Sequence, residues 1–234
     1  MIQIIFFISA EQIGKKCNAD LFLPNYRLVP ENDFEDAVND ICEAYDYLLE
    51  NYHYEPMNIK LLGISSGGGL AVCLLQSLVK KYETNTTNDH TTKNDWKQNK
   101  KMPSGAVLMC PFVDYTEPKG SFKEYWKHDL IVNRSVYDMG VPYLKIKLGS
   151  DENRRAASPV YGSFHGFPPL CVVVSEHECV YDQVIMLVNN ARKSNVDCTV
   201  GVWKYMCHVF SMLSPLIPEG QQSWDFMCDW IKSH

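Results

Sequence analysis

At 234 residues, 46% of them apolar and 21% charged, the chain holds enough core-forming material for one large domain, which excludes general disorder. Twenty-two basic against 28 acidic side chains leave a net charge of −6 with seven histidines neutral, so there is no basic field to track nucleic-acid phosphates. Nine cysteines stand singly with no C-x-x-C pair, which speaks against a zinc site or disulfide framework and for buried thiols in a reducing compartment.

No run reaches the ~18 apolar residues of a membrane span. MIQIIFFISA at the start lacks a basic leader, so a cytoplasmic protein without a membrane span is expected. After Asn18, ADLFLPNYR predicts a short strand leaving into a loop over 24–27. Phe34, Ala37, Val38, Ile41, Tyr45, Leu48 and Leu49 then share one face at helical spacing, behind Asn32 as the expected N-cap. NIKLLGI at 58–64 predicts a strand running into SSGGG, and 70–81 a nearly all-apolar helix buried on most sides.

Residues 84–101 (TNTTNDHTTKNDWKQNKK) bury too little to offset their ordering entropy and predict a disordered surface loop. GAVLMCP at 105–111 resumes the core as a strand, whereas 112–157 is aromatic and charge-rich and predicts a lid-like insertion over the sheet's end. LCVVVS at 170–175 predicts a strand, 181–193 a helix, DCTVGVW at 197–203 a strand and 221–232 a closing helix. This alternation predicts an α/β fold in one domain over 1–234: right-handed crossovers and a mainly parallel sheet with helices on both faces. Ligands of such sheets sit at the carboxyl ends of the strands, here at Ser65, 111 onward, 175–180 and 205–210.

At the first of these ends, Gly63-Ile64-Ser65-Ser66-Gly67 satisfies G-x-S-x-G between a buried strand and a helix, the context in which the pattern marks a nucleophile elbow. The helix N-terminus and the Ser66 N–H would favour a developing oxyanion. The alternatives are a phosphate-binding turn or tight packing alone. A serine needs a base to take its proton and an acid to fix the base's tautomer, in the chain order Ser, acid, His. His208, just after the last strand, is the histidine placed to reach Ser65; His53, His90, His128, His165 and His177 lie outside that position. Spacing leaves the acid open among Glu176, Glu178 and Asp182.

Four ordered segments carry a wider resemblance: YRLVPENDFEDAVND at 26–40, GISSGGG at 63–69, SPVYGSFHGFPPLCVVVSE at 158–176 and MCHVF at 206–210. They resemble the Y-R-L-A-P-E, G-D-S-A-G-G-N, S-P-L…L-P-P and P-H-G-F segments of the hormone-sensitive-lipase-like branch of α/β-hydrolases, which includes arylacetamide deacetylase-like enzymes and plant carboxylesterases. The resemblance implies an α/β-hydrolase fold acting on a small ester without cofactor or metal. Its D-P-L-x-D-E acid segment aligns with HECVYDQ, which places the acid at Glu178, thirty residues before His208. The implied set is therefore Ser65 as nucleophile, His208 as base, Glu178 orienting it and the Ser66 N–H as oxyanion donor. Aromatics of the insertion, Phe112, Tyr115 and Trp126 foremost, are candidates to line the substrate pocket.

Several positions depart from the family pattern: Ile64 replaces Asp, Cys179 and Cys207 replace Pro, and Val209 replaces Gly. The family's H-G-G-G loop would fall ahead of Met1, so the first strands, that loop and half of the lid are expected to be absent. A depleted oxyanion hole follows, each lost donor costing about 2.7–4 kcal/mol of transition-state stabilisation. Two alternatives to an active esterase stand beside it: a non-catalytic small-ligand-binding protein, as the related plant gibberellin receptors are, and an incomplete gene product. A shortened sheet with an open edge also predicts association into a homo-oligomer.

Overall fold

The computed structural model describes residues 11–85, 96–116, 118–132 and 149–234. Among the described residues four strands form one parallel sheet in the order β1-β2-β3-β4: Lys60–Ile64 (β1), Gly105–Met109 (β2), Leu170–Ser175 (β3) and Cys198–Trp203 (β4). Every residue of β2 and β3 is buried. Successive side chains of a strand point to opposite faces, so both faces of the central strands are covered. The registers Ile64 with Met109, Met109 with Val173 and Ser175 with Trp203 bring the carboxyl ends of the strands together, and the loops that leave them converge.

Six helices accompany the sheet among the described residues: Phe34–Asn51 (α1), Ser66–Asn85 (α2), Ser121–Tyr125 (α3), Asp151–Ala157 (α4), Tyr181–Lys193 (α5) and Pro218–Ser233 (α6). Residues 11–17 are helical as well. α2 packs on β1 and β2 with α1 against it, while α5 and α6 pack on β3 and β4. Of the expected apolar face of α1, Ala37 and Tyr45 are buried, and the Tyr45 hydroxyl donates to the Lys101 carbonyl at 2.9 Å. No described helix is long and apolar enough to cross a membrane.

Several expectations are corrected. ADLFLPNYR forms no strand: a strand needs a ladder partner, and none lies beside it among the described residues, where Leu21, Phe22 and Leu23 are exposed. The segment is held instead at Arg27, whose backbone N–H and guanidinium donate to the Asp40 carboxylate at 2.7–3.1 Å. The N-cap of α1 is Asp33, not Asn32, because Asp36 reaches back to the Asp33 N–H at 2.8 Å, whereas Asn32 closes the preceding turn onto the Leu28 carbonyl. α2 begins at Ser66, so the glycine run belongs to its first turn rather than to a loop. A Cβ on Gly68 would lie 2.7 Å from Pro111 and one on Gly69 2.4 Å from the Phe112 carbonyl oxygen; the glycines let the helix start against the neighbouring chain.

The polar stretch 84–101 is ordered at both ends. Its first two residues close α2, and Trp96–Gln98 forms a short 3-10 turn, with Trp96 packed on the core and the buried Asn99 side chain donating to the Leu78 carbonyl at 3.2 Å. Residues 86–95 lie outside the described residues, as do 133–148 of the lid-like insertion; the described part of that insertion holds α3 and α4 and no strand.

Burial pushes the thiols of Cys73, Cys171 and Cys179 up to about 12 and that of Cys198 to about 11. A raised pKa leaves the thiol protonated at pH 8, and the thiolate is the nucleophile. Iodoacetamide at pH 8 is therefore expected to leave Cys73, Cys171 and Cys179 unmodified in the native protein and to modify all nine cysteines in denaturant, read by peptide mass spectrometry. Native alkylation of Cys171 at the rate of a free peptide thiol would contradict a packed centre for the sheet.

Candidate active site

Ser65 connects β1 to α2 and holds φ at +53°, in the left-handed region that serine seldom adopts. Backbone bonds fix it there: its N–H donates to the Met109 carbonyl at 2.9 Å, and its own carbonyl accepts from Gly68, Gly69 and Phe112 at 2.9, 3.3 and 2.9 Å. The turn closes so tightly that a Cβ on Gly63 would lie 2.5 Å from the Gly67 carbonyl oxygen. All of these bonds use the backbone, which leaves the Ser65 hydroxyl projecting from the end of the sheet.

His208 Nε2 lies 2.8 Å from Ser65 Oγ, and His208 Nδ1 lies 2.5 Å from Glu178 Oε2. Glu178 is 0% and His208 2% exposed, so the imidazole–carboxylate contact is shielded from water. The other carboxylate oxygen accepts the Ser175 N–H at 2.8 Å. Ser175, the last residue of β3, accepts the N–H groups of His177 and Met206 on its hydroxyl, each at 3.2 Å, and so pins the acid loop and the histidine loop to the same strand end.

The two competing acids lie elsewhere. Glu176 Oε1 sits 3.6 Å from His177 Nδ1 and 3.9 Å from Lys204 Nζ, while Asp182, in the first turn of α5, accepts the Ser121 N–H at 2.8 Å. Among the other histidines, His177 lies between the rings of Tyr125 and Tyr205, at 5.4 and 4.4 Å. Among the described residues the histidine hydrogen-bonded to Ser65 Oγ is His208, and His90 lies outside the described residues.

Two residues join the site that the motif reading did not single out. Burial, followed by the Glu178 charge and a hydrogen bond to that carboxylate, holds the Cys110 thiol well above its ordinary range, and its sulfur accepts the Val209 N–H. Tyr26 hydrogen-bonds Ser66, and burial pushes its phenol up against that bond. Cys110, Glu178 and His208 form a three-ligand group within 4.8 Å, a possible metal set by distance. The geometry argues otherwise: the carboxylate and imidazole spend Oε2 and Nδ1 on each other across a short bond.

Strain gathers at the same place. Besides Ser65, φ is positive at Cys110 (+47°), Tyr205 (+59°) and Val209 (+51°). For the β-branched Val209 this region is especially disfavoured, and such outliers concentrate at functional sites.

Phe112 and Tyr115 help line a cavity of about 380 Å³ beneath the insertion, with Phe122, Met186 and Cys179. Tyr115 packs on Phe112 at 5.5 Å and on Phe34 at 5.0 Å between ring centroids. Trp126, half-buried after α3, is not among the lining residues; neither are Ser65 and His208. The cavity therefore adjoins the site through Phe112 and Cys179 rather than opening around the hydroxyl.

Residues 9–212 match the α/β hydrolase fold family. The chain belongs to this family. Among curated relatives, an acetyl-hydrolase of Streptomyces hygroscopicus is 30% identical over 212 residues, 90% of this chain and 64% of that protein. An esterase of the bacterial hormone-sensitive lipase family superposes with a TM-score of 0.78 at 30% identity, covering 94% of this chain and 68% of the other. EstE5, whose crystal was soaked with p-nitrophenyl butyrate, gives 0.78 at 28% identity, with 96% and 69% covered. This α/β hydrolase chain thus spans less than two thirds of the acetyl-hydrolase's length.

Proposed function

We propose that the chain is a serine carboxylesterase acting on small or medium acyl esters. The observation that carries the reading is the unbroken contact series Ser65 Oγ, His208 Nε2, His208 Nδ1, Glu178 Oε2, with separations of 2.8 and 2.5 Å across its two hydrogen bonds. In this scheme His208 Nε2 accepts the hydroxyl proton as Ser65 Oγ attacks the acyl carbon, and Glu178 holds Nδ1–H and stabilises the imidazolium. The N–H of Ser66, in the first turn of α2, would donate to the oxyanion, and the helix dipole would add to it. Collapse of the tetrahedral intermediate expels the alcohol, which takes its proton from His208. A water then attacks the acyl-Ser65 with His208 again as base, releasing the carboxylic acid.

Two relatives support a short acyl group, the acetyl-hydrolase by its name and EstE5 by the butyrate ester soaked into it. The cavity beside Phe112 and Tyr115 suits the apolar part of such an ester. Each oxyanion donor is worth about 10²–10³ in turnover, so the Ser66 N–H would account for a substantial part of the rate. The test is hydrolysis of p-nitrophenyl acetate and butyrate, with an organophosphonate labelling Ser65 in peptide mass spectrometry. Turnover and a single labelled serine are expected; a folded protein that neither hydrolyses nor labels would sink the reading and leave a binding role for the same fold.

A further inference from the structure

We propose that Asp129 is a positioning residue that holds the acid loop and the histidine loop in register through one buried carboxylate. Its catalytic consequence rests on the esterase reading above; its geometry does not. Asp129 lies just beyond α3 in the insertion and is 4% exposed. Its Oδ1 accepts the backbone N–H of His208 itself at 3.3 Å, together with those of Ile131 at 3.0 Å and Val132 at 3.1 Å. Its Oδ2 accepts the N–H of Cys179, the residue after Glu178, at 3.2 Å. One side chain thus touches the base's own backbone and the backbone next to the acid, while its remaining bonds tie it to the insertion.

A carboxylate suits this place because it is acceptor-only, with lone pairs for all four donors. Among the described residues its partners are all backbone N–H groups, which can neutralise a buried carboxylate without a cation. The stem is anchored in turn: the Asp129 N–H donates to the Tyr125 carbonyl at 2.8 Å, the Cys179 thiol to the Val132 carbonyl at 2.8 Å, and the Ser121 hydroxyl to the Cys179 carbonyl at 2.9 Å. These further links bind the insertion to the acid loop, but the described bond from the insertion to His208 passes through Asp129. The insertion, expected from sequence to act as a cover, therefore also braces the machinery beneath it.

Removing the carboxylate frees the His208 backbone while leaving the Glu178, His208 and Ser65 side chains in place. A displacement near 1 Å of a reacting group costs about 10²-fold in rate. In Asp129→Ala and in the near-isosteric Asp129→Asn, whose amide presents a donor to one of the N–H groups, kcat for p-nitrophenyl acetate should fall about 10²-fold with KM little changed. The companion measurement is the long-range ¹H–¹⁵N spectrum of the His208 ring, which reports where the imidazole proton sits whether or not the protein turns over. Wild type is expected to show the proton held on Nδ1 toward Glu178, and both variants to show mixed tautomers. Folded variants with wild-type kcat and an unchanged ring spectrum would overturn the proposal. If Asp129→Ala does not fold, Asp129→Asn decides. Should wild type prove inactive, the esterase reading fails and the ring spectra alone judge Asp129.

Discussion

Ser65→Ala is expected to reduce ester hydrolysis to the uncatalysed background and to abolish phosphonate labelling while leaving the fold intact. The turn at position 65 is fixed by backbone bonds, none of which uses Oγ, so alanine occupies the same left-handed conformation at the same strain. What disappears is the atom 2.8 Å from His208 Nε2. In a fully assembled triad removal of the serine lowers kcat by about 10⁶-fold. The comparison to make is initial rate at matched protein concentration, with thermal unfolding of both proteins as the control. Hydrolysis unchanged in Ser65→Ala would assign the activity to some other residue.

Glu178→Gln should lower kcat by about 10⁴-fold, a smaller loss with a different cause. The carboxylate uses both oxygens as acceptors, one for the Ser175 N–H and one for His208 Nδ1–H. Glutamine can offer an oxygen to only one of them. With its amide nitrogen toward the ring, the imidazole must carry its proton on Nε2, where it can no longer accept one from Ser65. With the nitrogen toward Ser175, two N–H groups face each other in a site without water. Glu176→Gln is the natural comparison: Glu176 is half-buried and faces His177 and Lys204, away from His208, and its loss should change kcat less than about threefold, the scale of a weak ion pair. Equal losses in the two variants would contradict the assignment of the acid.

Much of this arrangement was legible in the sequence, for physical reasons that differ by segment. LCVVVS at 170–175 and the helix at 181–193 fall within their predicted bounds because β3 is apolar on both faces and α5 is amphipathic, so burial and periodicity agree. The elbow was legible because glycine at 63 answers a steric demand that no other residue meets. Glu178 was separable from Glu176 only through the family resemblance, since two glutamates two residues apart carry the same chemistry until the loop conformation is known. Three features stayed hidden. The segment ADLFLPNYR is held by the bonds from Arg27 to Asp40 rather than by a strand ladder, a tertiary tie that local β-propensity does not register. The ordering of 96–101 rests on Trp96 and Asn99 finding partners on α2 and the core. Asp129 serves residues 50 and 79 positions away through their backbones, and no side-chain pattern announces a bond to an N–H.

The strand order β1-β2-β3-β4 follows the chain, so each new strand adds beside the one before it. Ser65 stands at the end of β1 and His208, 143 residues later, beyond β4. Such long-range closure is slow to form, and larger α/β chains commonly pass through partly folded states. On the proposed triad, an intermediate with β1, β2 and β3 paired would present the Ser65 elbow without its base, and the hydroxyl would become reactive only once β4 and the loop after it deliver the imidazole. Recovery of phosphonate labelling after dilution from denaturant should accordingly trail the recovery of helical signal, making reactivity at Ser65 a reporter of the final step of folding.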